Sequence, residues 1–283
     1  LVNAGNLNEA FNYSRKLEKQ KLDSFESHLI VGIFYLKNSN LNLATKYFLK
    51  AKNKNSRFLL NNYISSSLYN WSNLHNVDIN YAKVELNKLD KRFEHLKKIQ
   101  NVFLHCYYDS LKTNNLFFEL TSNKKTDFSR YKYFQASYAV SSGKINDAKN
   151  IVLSALKLNP RNLLLNQYLI NLTEEKNLDI FNCNKESNVV AEILYITANA
   201  LSSQSMYSLS NFYLNLAKFL NEDFNSFNSL LAENFYKIDN FEKARKISPE
   251  LFPPGDPPLP TPIAARFATW RRERGERGAS VAI

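Results

Sequence analysis

An all-α fold, a right-handed α-solenoid of stacked helix–turn–helix repeats, is predicted by three observations. Apolar residues recur at i, i+3, i+4 and i+7 over most of the chain, small residues recur inside that pattern at fixed steps, and strand signals are nearly absent. The 283 residues are 44% hydrophobic and 22% charged, which is enough to bury a core in one or two ordinary domains. A helical bundle would show the same apolar spacing. It would not require small residues at helix crossings repeated every 34 positions.

The clearest repeat runs over residues 131–162, where Ala136, Gly143, Ala148, Ala155 and Pro160 fall at steps of 7, 5, 7 and 5. Ala136 and Ala148 must be small because two helix axes cross closely there. Gly143 permits the left-handed conformation that ends the first helix, and Pro160 stops the second. Residues 25–58 repeat the scheme with Gly32, Tyr35, Ala44, Phe48 and Ala51. At the start, Gly5 and Ala10 supply a turn and a second helix. Near the end, Ala232, Phe235 and Ala244 supply a further copy, preceded by Ala198 and Ala217 with Ser210 in place of the expected alanine. Three stretches fit less well. In 59–94, pairing Tyr69 with Ala82 needs about four extra residues in the turn; 95–128 has no small residue where the second helix should cross; 171–190 has too few periodic positions for a full second helix and is expected to contain a loop. Six to seven helical hairpins are expected.

These motifs resemble the tetratricopeptide (TPR) repeat family, of bacterial type, across most of residues 1–248. The resemblance implies a protein–protein interaction scaffold that binds a peptide or partner protein in the concave groove lined by first helices. Carried onto this sequence, the groove positions are Tyr133 and Ser137, Tyr195 and Asn199, and Ser229 and Glu233. Tyrosine offers contact area at small entropic loss, and asparagine can pair with an extended main chain. The family's carboxylate clamp uses Lys and Asn, whereas the unit at 25–58 carries Leu29 and Ile33 there, so a clamp is not expected. A second reading is a substrate-recruiting repeat arm of a larger enzyme whose catalytic domain is missing.

Composition changes at Ser248. Seven of the eight prolines lie in 249–283, which has no Lys and no Asn. Pro-rich text followed by Arg/Gly-rich text cannot build a packed core and reads as a disordered tail, or as a sequence-joining artefact. The chain opens at Leu1 within a helical pattern, as an N-terminally truncated repeat domain would.

Catalytic chemistry finds no foothold, and a non-enzymatic protein is expected, with no cofactor and no metal. Upstream of the tail only Gly5, Gly32 and Gly143 occur, so phosphate-cradling glycine loops are excluded there. His28, His75, His95 and His105 stand in no metal-selecting pattern. His105 beside Cys106 does not make a nucleophile–base pair, since adjacent helical residues point about 100° apart. A polar-face histidine and a partly buried thiol are expected. Cys106 and Cys183 lie 77 positions apart without a CxxC pair, so neither a zinc module nor a disulfide framework is indicated, and a reduced interior is expected.

The net charge is +11, yet the lysines cluster in turns and second-helix ends (Lys50, Lys52, Lys54; Lys97, Lys98; Lys124, Lys125) rather than in one stripe, so nucleic acid is not the expected partner. No run of residues is apolar enough to span a bilayer. The expected compartment is the cytoplasm, with the periplasm as the alternative.

Overall fold

The computed structural model describes residues 1–54, 58–122, 129–160, 162–224 and 226–248. The helices in its first half are α1 (Leu7–Lys19), α2 (Phe25–Lys37), α3 (Leu41–Lys54), α4 (Leu59–Ser72), α5 (Ile79–Asn87), α6 (Glu94–Tyr107) and α7 (Thr113–Thr121). There follow α8 (Ser129–Ser141), α9 (Ile145–Leu158), α10 (Leu163–Glu174), α11 (Glu186–Ser203), α12 (Tyr207–Leu220), α13 (Ser226–Lys237) and α14 (Phe241–Ile247). Short 3-10 turns occupy Val2–Ala4, Leu74–Asn76 and Lys91–Phe93. No strand occurs among the described residues. The expected tail, 249–283, lies outside them, as do Lys124 and Lys125.

The chain divides into two compact units. One comprises Leu1–Tyr108 with Asn184–Asp223, and the other comprises Asp109–Cys183 with the stretch that begins at Phe224.

In both units the helices pair as hairpins built to one measure. A left-handed residue closes the turn: Ser39 (φ 56°), Gly143 (φ 74°), Ser205 (φ 62°) and Asp239 (φ 59°). The second helix starts two positions later each time, at Leu41, Ile145, Tyr207 and Phe241. Seven positions before each turn residue stands the first member of a crossing pair, Gly32, Ala136, Ala198 or Ala232. Five positions after it stands the second member, Ala44, Ala148, Ser210 or Ala244. All eight are buried. Gly143 was legible as such a turn residue; Ser39, Ser205 and Asp239 fill the same place without glycine, as small polar residues can. Gly5 (φ 82°) and Ala10 place α1 in the same register as a second helix.

Where a crossing residue is polar, it bonds across the contact. Ser210 Oγ donates to the Ala198 carbonyl at 2.7 Å. In the α4/α5 pair, Asn70 takes the small residue's place and its Nδ2 donates to the Ala82 carbonyl at 2.9 Å, both residues being buried. The crossing is therefore Asn70 with Ala82, twelve residues apart as in every other pair, and not Tyr69 with Ala82. The turn needs no insertion; the four residues beyond a 34-residue step lie between Gly32 and Asn70.

Five full hairpins stand among the described residues: α2/α3, α4/α5, α8/α9, α11/α12 and α13/α14. Beside them stand α1, in the register of a second helix, and the pair α6 and α7. In 95–128, where no small residue marks a crossing, the contact of α6 with α4 is polar. Gln100 accepts from Trp71 Nε1 at 3.0 Å and donates to Ser67 Oγ at 3.0 Å and Tyr63 OH at 3.3 Å, forming a buried network that leaves none of its members bare. The loop expected in 171–190 is present between α10 and α11.

One contact departs from a simple array, in which repeats touch only their neighbours. Within its unit, the α11/α12 hairpin packs on α2 and α4, the first helices of two hairpins far earlier in the sequence. Phe34 stacks on Phe219 with ring centroids 6.2 Å apart, Lys37 pairs with Glu222 at 3.1 Å, and Asn3 Nδ2 donates to the Ser208 carbonyl at 3.1 Å. This covering explains why α2 is buried on nearly every side, Leu29 and Ile33 included.

Candidate partner-binding site

The six residues read as groove contacts divide by exposure. Tyr133, Ser137, Tyr195 and Glu233 are buried, at 1%, 4%, 2% and 1% exposure, while Asn199 and Ser229 are partly exposed. On α8 the reason is visible. The Tyr133 ring lies 4.6 Å from Tyr168 and stacks on Phe224 at 5.4 Å. Ser137 Oγ donates to the Phe181 carbonyl at 2.7 Å, and the Phe181 ring lies 4.4 Å from Phe134. The segment joining α10 to α11 thus lies against the face of α8 that a groove reading would leave open. Burial also pushes the Tyr168 hydroxyl up to about 12.

An open cleft of about 450 Å³ is found instead one face over, between α7 and the α8/α9 hairpin. Asn114, Asn115 and Phe118 come from α7, Gln135, Tyr138 and Ala139 from α8, Ser142 and Lys144 from the turn, and Asp147, Asn150 and Ile151 from α9. The local fold dictates this arrangement. Ala136 and Ala148 use one face of each helix for the crossing, so Gln135 and Asn150, a residue or two away, point elsewhere. Phe117 packs inward near Tyr138, with ring centroids 6.1 Å apart, which leaves its neighbour Phe118 63% exposed at the cleft. Lys132 Nζ donates to Gln135 Oε1 at 3.3 Å, and burial holds that ammonium below its usual value. The bond orients the amide, leaving its NH2 group as the free donor.

Four carboxamides, a serine and one charge of each sign can hold hydrogen-bonding groups of a ligand. They carry no nucleophile–base pair. No group of three or more His, Cys, Asp or Glu that could hold a metal occurs among the described residues. The repeat motif marks crossings and turns, so it gave no signal for these polar positions. The only trace in sequence is the density of Asn and Gln in 114–115, 135 and 150.

Two other expectations are corrected. His105 is buried rather than on a polar face, and neither Cys106 nor Cys183 is a free thiol, against the reading of a reduced interior and a thiol at Cys106. The lysines at the α3 end are engaged locally: Lys50 with Glu18 at 2.6 Å, Lys52 with Glu85 at 3.7 Å and Lys54 with Asp23 at 3.0 Å. Among the described residues no helix is long and apolar enough to cross a membrane.

No family model and no curated protein matches the sequence. Among solved structures, the chain is similar to one in a crystal structure of the APC/C hetero-tetramer Cut9-Hcn1, at 17% identity and a TM-score of 0.40, over 88% of this chain and 45% of that one. The chain therefore spans less than half the length of that neighbour.

Proposed function

We propose that this chain is a non-catalytic interaction scaffold of helix–turn–helix repeats that holds a segment of a partner protein. The observation that carries the reading is the open, carboxamide-lined cleft between α7 and the α8/α9 hairpin, supported by a rigid frame of alanine crossings. Small polar groups on packed helices are pre-placed, so little ordering is needed when a ligand arrives. Asn199 and Ser229, partly exposed, are secondary contact candidates, each within its own unit.

The test is photocrosslinking with the full chain. A crosslinking residue at position 142, on the cleft rim, should form adducts with defined protein segments in an extract of the source cells. The same residue at position 13, an exposed surface site remote in sequence, serves as control. Equal, diffuse labelling at both positions would remove the scaffold reading.

A further inference from the structure

We propose that the cleft between α7 and the α8/α9 hairpin takes an extended, uncharged stretch of partner main chain with one apolar side chain seated on Phe118, Ala139 and Ile151; this rests on the scaffold reading and specifies its partner. Three properties of the lining carry it. First, Asn114, Asn115 and Asn150 each carry an amide that can present a donor and an acceptor together, which is the complement of a peptide unit, and Gln135 adds the NH2 donor that its bond from Lys132 leaves free. Second, the two charged lining residues, Lys144 and Asp147, are of opposite sign, so the lining itself favours neither an acidic peptide nor a nucleic-acid backbone. Third, the lining is mixed, with Phe118, Ala139 and Ile151 among the polar groups, so a segment can seat an apolar side chain while its main chain meets the amides. An apolar anchor supplies area while the amides fix direction and register.

Recognition through the peptide units makes the site tolerant of partner sequence and insensitive to salt. The experiment uses the full chain and capped, fluorescein-labelled peptides of Ser, Thr and Leu, with matched peptides carrying Asp or Lys at alternate positions. Anisotropy should show binding of the neutral peptide, unchanged between low and moderate salt. Binding should be lost when its backbone amides are N-methylated, and weakened about three- to ten-fold in Asn115→Ala and in Asn150→Ala. Both asparagines are exposed, so these variants keep the fold. Tighter binding of the Asp-bearing peptide, or unchanged binding in both variants, overturns the inference. If crosslinked segments are still captured at position 142, that failure leaves the scaffold standing; if no peptide binds and no segment is captured, both fall.

Discussion

A β-carbon placed on Gly32 would lie 2.4 Å from Cε1 of Phe48, so the Phe48 ring of α3 leaves no room for a methyl group at this point of α2. Gly32 has ordinary helical geometry and is needed there for space alone, because the fully buried Phe48 ring fills the site where a methyl group would sit. Gly32→Ala is expected to overpack the crossing by about 1–3 kcal/mol despite alanine's better helix propensity. Calorimetry should show a melting temperature lower by several degrees, and Phe48→Leu in the same chain should recover part of the loss. A rise in melting temperature would mean that the ring moves aside without penalty.

Ser210 is the one second-helix crossing residue that is not alanine in the five-membered series Ala44, Ala82, Ala148, Ser210 and Ala244. Restoring the series with Ser210→Ala deletes the bond to the Ala198 carbonyl at 2.7 Å. The expected cost is about 0.5–1.5 kcal/mol, read from the shift of the urea midpoint. A midpoint that increases would show that the hydroxyl is tolerated rather than useful.

Gln100→Leu keeps the side chain's bulk and removes both its polar ends. The indole N–H of Trp71 loses its acceptor, and Ser67 and Tyr63 lose a donor, in a region from which water is excluded. A loss of about 2–3 kcal/mol is expected in chemical unfolding followed by circular dichroism. A stability within error of the parent would show that the network contributes nothing net.

His28 makes stability depend on pH. Its Nε2 lies 2.9 Å from Asp23 Oδ2, which favours the charged ring, but burial outweighs this and holds its pKa below 6.5, with Lys50 adding to the depression and Glu18 opposing it. The unfolded chain therefore takes up the proton first, and stability falls as pH drops below about 6.5 toward the folded value. Asp23 is held below 3.8, chiefly by Lys54. Glu18 is held below 4.5 by Lys50 and Arg15, although burial works against them. These two therefore act only in a separate, more acidic window. Thermal melts between pH 7 and 5 should decline for the parent and flatten for His28→Gln; parallel curves would place the titration elsewhere.

The hairpins were readable because a crossing admits few residue types, so Ala136, Ala148, Ala232 and Ala244 repeat at legible steps. Asn70 hid its own crossing, since a buried asparagine imitates a small residue only by bonding to Ala82. The covering of α2 and α4 by α11/α12 left no local mark: Phe34 and Phe219 meet across the unit, and each alone reads as an ordinary apolar position. The burial of Tyr133 and Ser137 on α8 left no local mark either. Nothing in Tyr133 or Ser137 announces that Phe181 and Phe224 lie against them. The cleft residues obey no periodic rule, being chosen by what a ligand needs.

The lateral docking of α11/α12 has a consequence for synthesis on the ribosome. Roughly 110 residues separate the end of α4 from the start of α11, about 6–20 s of translation at ordinary elongation rates. During that interval the apolar side of α2 has no cover from its own chain, so the nascent N-terminal half is the stage most in need of chaperone shelter, and long-range closure rather than hairpin formation sets the pace of maturation.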